Sequence, residues 1–149
     1  MNLIVAHSLI SCCFITLTTL SSVFAQDGSG EIVIEESYYI VSPENQERFL
    51  QVYRDKFSPF WKEMNRIGVI DGDLRIYTQR IHTLNPRWTY KTVLRFKNYS
   101  AIDKWLEERD NVFNKLFPGE GGYEKVRKEL SLITEDHWDE FIREIPLKK

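Results

Sequence analysis

From Trp88 to Lys97 the chain alternates residue by residue: Trp88, Tyr90, Thr92, Leu94 and Phe96 on one side, Thr89, Lys91, Val93, Arg95 and Lys97 on the other. A period of two belongs to a β-strand, whose successive side chains point to opposite faces; a helix cannot present it. The preceding run Leu74 to His82 (LRIYTQRIH) shares the β-branched and aromatic bias, and Thr83-Leu84-Asn85-Pro86-Arg87 joins the two. So short a connection, carrying Asn-Pro, predicts an antiparallel hairpin. Whatever the chain folds into must contain that sheet and something to cover it.

Upstream, Ile32 to Val41 (IVIEESYYIV) reads as a first strand, although Glu35 and Glu36 side by side blur which face is buried. Ser42-Pro43-Glu44 is a helix start, with Ser as N-cap, Pro at the first helical position and an acid in the first turn. Phe49, Tyr53, Phe57, Phe60, Trp61, Met64 and Ile67 then recur at helical spacing as one apolar stripe ending at Gly68. Pro59 lies inside this helix and removes the bond to the carbonyl of Asp55, which predicts a kink or break near Ser58.

Downstream, Ser100-Ala101-Ile102-Asp103 has the form of a capping box opening a second helix, with the stripe Ile102, Trp105, Leu106, Phe113, Leu116 and Phe117. Pro118-Gly119-Glu120-Gly121-Gly122 ends it, and a third helix carries Tyr123, Val126, Leu130 and Ile133. The tail from His137 to Ile145 fits helical spacing through Trp138, Phe141, Ile142 and Ile145, while a strand fits the architecture. The expected order is β-α-β-β-α-(α)-β: an α+β, ferredoxin-like antiparallel sheet with helices on one face. Apolar side chains on both faces of several strands predict that the second face is also covered, most simply by a homodimer packing sheet against sheet.

This layout resembles the dimeric α/β-barrel superfamily, which includes antibiotic-biosynthesis-type monooxygenases and haem-degrading enzymes. The likeness runs from about Ile32 to Ile145. It is carried by the YYIV strand entering a Ser-Pro-Glu helix start, the LRIYTQRIH/WTYKTVLRF hairpin and the helix containing Asp103-Lys104-Trp105. The resemblance implies a cavity between sheet and helices, lined by aromatic and a few polar groups. Haem-degrading members combine an Asn on the first strand with a Trp and a helical His. Here Ile32 to Val41 holds no Asn and neither main helix holds a His, which argues against haem degradation.

The first 25 residues bound where such a domain would work. Met1 to Ala25 contains no Asp, Glu, Lys or Arg, and its apolar run reaches Val23-Phe24-Ala25. That ending suits the A-x-A-like preference of signal peptidase, so cleavage is expected before Gln26. The run is rich in Ser and Thr for a membrane span of about 20 apolar residues. Leu9-Ile10-Ser11-Cys12 resembles a lipobox, but cutting there would leave an apolar stub. The expectation is a signal peptide (1–25), a polar leader (26–31) and one domain (32–149), secreted or periplasmic and off the membrane after cleavage. Both cysteines and His7 leave with the signal, which removes disulfide, thiol nucleophile and Cys-ligated metal from the mature chain. Acidic and basic residues are interspersed with a net charge of −2, and without a basic block neither nucleic acid nor an anionic membrane is an expected partner.

No G-x-S-x-G, P-loop or G-x-G-x-x-G is present, and neither remaining histidine, His82 or His137, sits in a metal-binding spacing; no cofactor and no metal are expected. If the tail is a strand, His137 and Asp139 share a face and the carboxylate can orient the imidazole; on a helix they do not meet. The alternative is that Trp138 anchors the tail in the core with charges beside it. On the hairpin, Arg75, Tyr77 and Gln79 alternate on one strand, and Trp88 and Tyr90 on the other. The candidate catalytic residues are His82, His137, Tyr77 and Tyr90, and the candidate ligand-binding residues are Trp88, Arg75, Tyr90 and Trp105. The expected role is binding of a small apolar or aromatic ligand. The alternatives are a cofactor-independent monooxygenase or isomerase, and a structural dimer with no ligand. Asn98-Tyr99-Ser100 is also a glycosylation sequon.

Overall fold

The computed structural model describes residues 31–80, 85–145 and 147. The expected signal segment, most of the leader and His82 lie outside the described residues. Strand β1 (Val33–Ile40) leads through a 3₁₀ turn (Pro43–Asn45) into α1 (Gln46–Val52), a π-helical turn (Tyr53–Phe57) and α2 (Ser58–Arg66). Strands β2 (Arg75–Thr78) and β3 (Tyr90–Phe96), helices α3 (Tyr99–Leu116) and α4 (Tyr123–Leu132), and strand β4 (Asp136–Arg143) follow. The four strands form one antiparallel sheet in the order β2-β3-β1-β4, so the hairpin lies to one side of β1 and the tail strand to the other. This is the ferredoxin-like arrangement expected from the order of elements.

Alternation decides the two faces. On β1, Val33, Glu35, Ser37 and Tyr39 point toward the helices, and on β3 they meet Phe96, Leu94, Thr92 and Tyr90 in register. Helices pack over this face, and Phe49, Phe60, Met64, Phe96 and Phe113 are wholly buried between the layers. The opposite face carries Ile34, Tyr38 and Ile40 with Val93, Tyr77, Trp138 and Ile142, interspersed with Glu36, Lys91, Arg95 and Glu140, and no helix among the described residues covers it.

The irregularity expected near Ser58 takes the form of a π-helical turn over Tyr53–Phe57, not a break in the helical run. The helix absorbs Pro59 in the π turn, where the Ser58 N–H donates to the carbonyl of Tyr53, five residues back. A wider turn just before a proline relieves the crowding its ring imposes on the preceding turn, and Phe49, Tyr53, Phe57, Phe60 and Trp61 all stay buried. The helix closes at Gly68, whose positive φ of 79° lets Val69 N–H reach Met64 O (2.9 Å) and Gly68 N–H reach Asn65 O (2.9 Å).

Three local expectations are corrected. Helix α3 is capped by Asn98 rather than Ser100: Asn98 Oδ1 accepts the Ala101 N–H at 2.9 Å and the Ser100 hydroxyl at 2.7 Å. The hairpin strands pair only between Arg75–Thr78 and Tyr90–Val93, so Trp88 falls outside β3. Thr89 explains this. Its N–H donates to Tyr39 O (2.7 Å) and its hydroxyl both accepts from Val41 N–H (3.0 Å) and donates to Val41 O (3.2 Å), hooking the chain onto the end of β1. The alternation breaks there and Trp88 turns to the helix-free face, edge-on to Tyr38 at 5.9 Å. The tail is a strand, and Trp138 stacks on Tyr38 at 5.1 Å on the same helix-free face instead of entering the core.

Candidate functional site

A cavity of about 250 Å³ lies between the sheet and the helices. Rings form its walls: Tyr39 from β1, Tyr53 and Phe57 from the π turn, Trp61 from α2, Trp105 from α3 and Tyr123 from α4. Leu74, Leu94 and Leu130 complete the apolar part. Its polar side gathers where β1 meets β4 and the end of α4, with Glu35, Ser37, Thr92, Arg127, Ser131, Thr134, His137 and Asp139. The side chains of His137 and Asp139 are 41% and 39% exposed, so this side is the mouth. For comparison, an engineered apolar cavity of roughly 150 Å³ takes up benzene.

Because β4 is a strand, His137 and Asp139 share the inner face, and His137 Nε2 lies 3.0 Å from Asp139 Oδ1. His137 stands opposite Tyr39 in the register, and the two rings stack at 4.5 Å. Burial works against the charge on Asp139, but hydrogen bonds from His137 and Ser37 and the nearby positive charge hold its carboxyl below the usual range. Glu35 behaves oppositely. Burial, reinforced by repulsion from Asp139 and only partly offset by His137, pushes its carboxyl up to about 7. Two carboxyl groups in one cavity are thus driven apart: one stays ionised and the other sits near neutrality.

Deeper in, the Tyr53 hydroxyl donates to the Tyr39 hydroxyl at 2.7 Å in a buried pair. Burial pushes Tyr39 up to about 12 and Tyr53 well above its ordinary value, so both remain neutral donors and acceptors. Trp105 Nε1 is buried without a hydrogen-bond partner. An open buried donor costs about 1–3 kcal/mol, which a ligand acceptor would recover. The described residues contain no group of three or more His, Cys, Asp or Glu placed to hold a metal ion.

Of the residues singled out by sequence, His137 and Trp105 line this cavity. Tyr90 shares the inner face but stacks on Phe49 at 4.9 Å, away from the cavity walls. Tyr77 pairs with Lys91 and Arg75 with Val93 on the opposite face, where Trp88 also lies. Tyr77 and Trp88 therefore cannot wall one pocket with Tyr90, and the sheet separates them. Their own surroundings are polar: Lys91 Nζ sits 2.9 Å from Glu36 and over the rings of Tyr38 and Tyr77. Sequence reasoning missed Glu35, Ser37, Tyr39 and Tyr53. The available signal was the doublet Glu35-Glu36, which in a strand must send one acid to the helix-covered face.

No family model matches the chain, and no curated protein matches it by sequence. Solved structures do. A dimeric ferredoxin-like protein from an uncultured marine organism superposes with a TM-score of 0.54 at 12% identity, covering 83% of this chain and 96% of its own. A NIPSNAP family protein with unknown function from Agrobacterium tumefaciens strain C58 gives 0.50 at 11% identity, with coverages of 80% and 93%. An antibiotic biosynthesis monooxygenase gives 0.50 at 9% identity, with coverages of 77% and 99%. At these identities the likeness speaks for architecture: the chain has the ferredoxin-like α+β fold.

Proposed function

We propose that this protein is exported, pairs through its helix-free sheet face into a homodimer, and binds a small, flat, largely apolar ligand in the sheet–helix cavity. The observation that carries the reading is the cavity itself: aromatic side chains surround about 250 Å³ that they do not fill, and polar groups gather on one side. The apolar and aromatic side chains Tyr38, Trp88, Val93, Trp138 and Ile142 on one sheet face support the homodimer, as does the dimeric state of the similar protein from the marine organism. Export rests on the uncharged, apolar stretch from Met1 to Ala25.

A second reading is favoured by one geometry, the His137–Asp139 pair at the cavity mouth. There His137 can take a proton from a bound ligand while Asp139 holds the resulting imidazolium, the acid–base step shared by isomerases and cofactor-independent monooxygenases.

Native mass spectrometry of the protein recovered after expression of the full reading frame tests these points together. The expected result is a dimer of chains beginning at Gln26, each with a co-purified small molecule or able to take up added naphthalene. A monomer that binds neither would overturn the reading. For the enzymatic variant of it, His137→Gln should keep ligand binding and abolish deuterium uptake from heavy water into the co-purified ligand.

A further inference from the structure

The unmatched group in the cavity is Glu35. Its carboxyl receives no hydrogen bond from any described residue; burial disfavours its charge, Asp139 repels it and His137 attracts it. Asp139 and His137 from β4 and Tyr123 from α4 interact with it electrostatically, and Tyr39 on its own strand, Tyr53 from the π turn and Arg127 from α4 line the same cavity. The two basic side chains among them are already engaged. His137 is bonded to Asp139, and Arg127, 63% exposed, leans toward Glu124 at 3.7 Å. The cavity that Glu35 lines is walled by the aromatic side chains Tyr39, Tyr53, Trp61, Trp105 and Tyr123, and an aromatic ring attracts a cation over its face.

We infer that the ligand is an arylalkyl amine, its ring lying against Tyr39, Trp61, Trp105 and Tyr123 and its protonated nitrogen held by the carboxylate of Glu35. The inference rests on the cavity being a ligand site and adds the ligand's chemical class. An ammonium placed there offsets the repulsion from Asp139, so Glu35 gives up its proton as the amine binds. Affinity for the amine therefore rises with pH up to neutrality, and binding below neutrality releases a proton.

Isothermal titration of three probes of equal size, 1-naphthylmethylamine, 1-naphthylmethanol and 1-naphthoate, tests this on the intact protein. At pH 8 the amine should bind at least about tenfold more tightly than the alcohol, the scale of one charge-assisted hydrogen bond. In Glu35→Gln that advantage should fall to parity. At pH 6, titrations of the wild type in buffers of different ionisation enthalpy should show about one proton released per amine bound. This last measurement needs no variant, and the unfolding curve of Glu35→Gln shows whether that protein is folded. Binding of the alcohol as tight as the amine, preference for the naphthoate, an amine preference that survives Glu35→Gln, or no proton release each overturns the inference while leaving the cavity a ligand site. Failure of all three probes overturns both.

Discussion

Glu35→Gln should stabilise the protein at pH 8 and leave its stability unchanged at pH 4. In the folded chain burial and Asp139 hold the Glu35 carboxyl at about 7, against its ordinary 4.5. Between those values the folded state keeps a proton that the unfolded state has lost. Stability therefore falls as pH rises through this window, and the loss is complete above it. Each pKa unit corresponds to about 1.36 kcal/mol, which sets an upper bound of roughly 3 kcal/mol. The mouth at β4 admits water and screens part of the repulsion, so the readable effect is about 1–3 kcal/mol. Gln keeps the shape and cannot ionise. Urea unfolding of both proteins at pH 4, 6 and 8, compared at equal m-values, isolates the term. Asp139, whose carboxyl is held low, contributes the opposite slope at acid pH in both proteins and largely subtracts out. A difference that stays flat with pH, or a wild type more stable than the variant at pH 8, would show that ionised Glu35 gains a partner and would refute the reasoning.

Three further outcomes are expected. Tyr53→Phe removes the hydroxyl that donates to the buried Tyr39 hydroxyl at 2.7 Å and should cost about 1–2 kcal/mol in urea unfolding. Asn98→Ala removes the acceptor of the Ala101 N–H at the start of α3 and should cost about 1 kcal/mol, with Asn98→Ser recovering most of it. Val93→Asp puts a charge in the middle of the helix-free face, and size-exclusion chromatography with light scattering should report monomers that keep the wild-type far-ultraviolet circular dichroism.

The order of elements was legible because each rests on a local signal: period-two alternation in β3, a Ser-Pro-Glu helix start, and a Gly-rich stop after α3. What escaped were decisions taken between elements. Trp88 continues the alternation of β3 on paper, yet Thr89 is claimed by the backbone of Val41 on β1, and no local pattern announces a bond across 48 positions. Pro59 announced an irregularity near Ser58 but not its form, which is a π turn within a continuing helical run. The tail was ambiguous in isolation and became a strand by pairing with β1 from Val33 to Ile40. The site was the least legible part. His137 and Asp139 were visible as a pair conditional on that strand, but Glu35 was hidden as a blemish in an otherwise apolar strand. Its neighbour Glu36 faces the other way and behaves as an ordinary ion-paired acid. There burial is outweighed by the Tyr38 hydroxyl and Lys91, which hold its carboxyl below the usual range.

The division of the tryptophans between the two sides of the sheet has a spectroscopic consequence. Trp61 and Trp105 are in ring contact at 5.7 Å and both border the cavity, while Trp88 and Trp138 flank Tyr38 on the helix-free face. The intrinsic emission of this protein is thus the sum of two gauges with different referents. One responds to what occupies the interior, the other to whether the outer face of the sheet is wet. Replacing Trp88 and Trp138 by Phe would silence the second and leave a label-free fluorometer for the cavity, already installed in its walls.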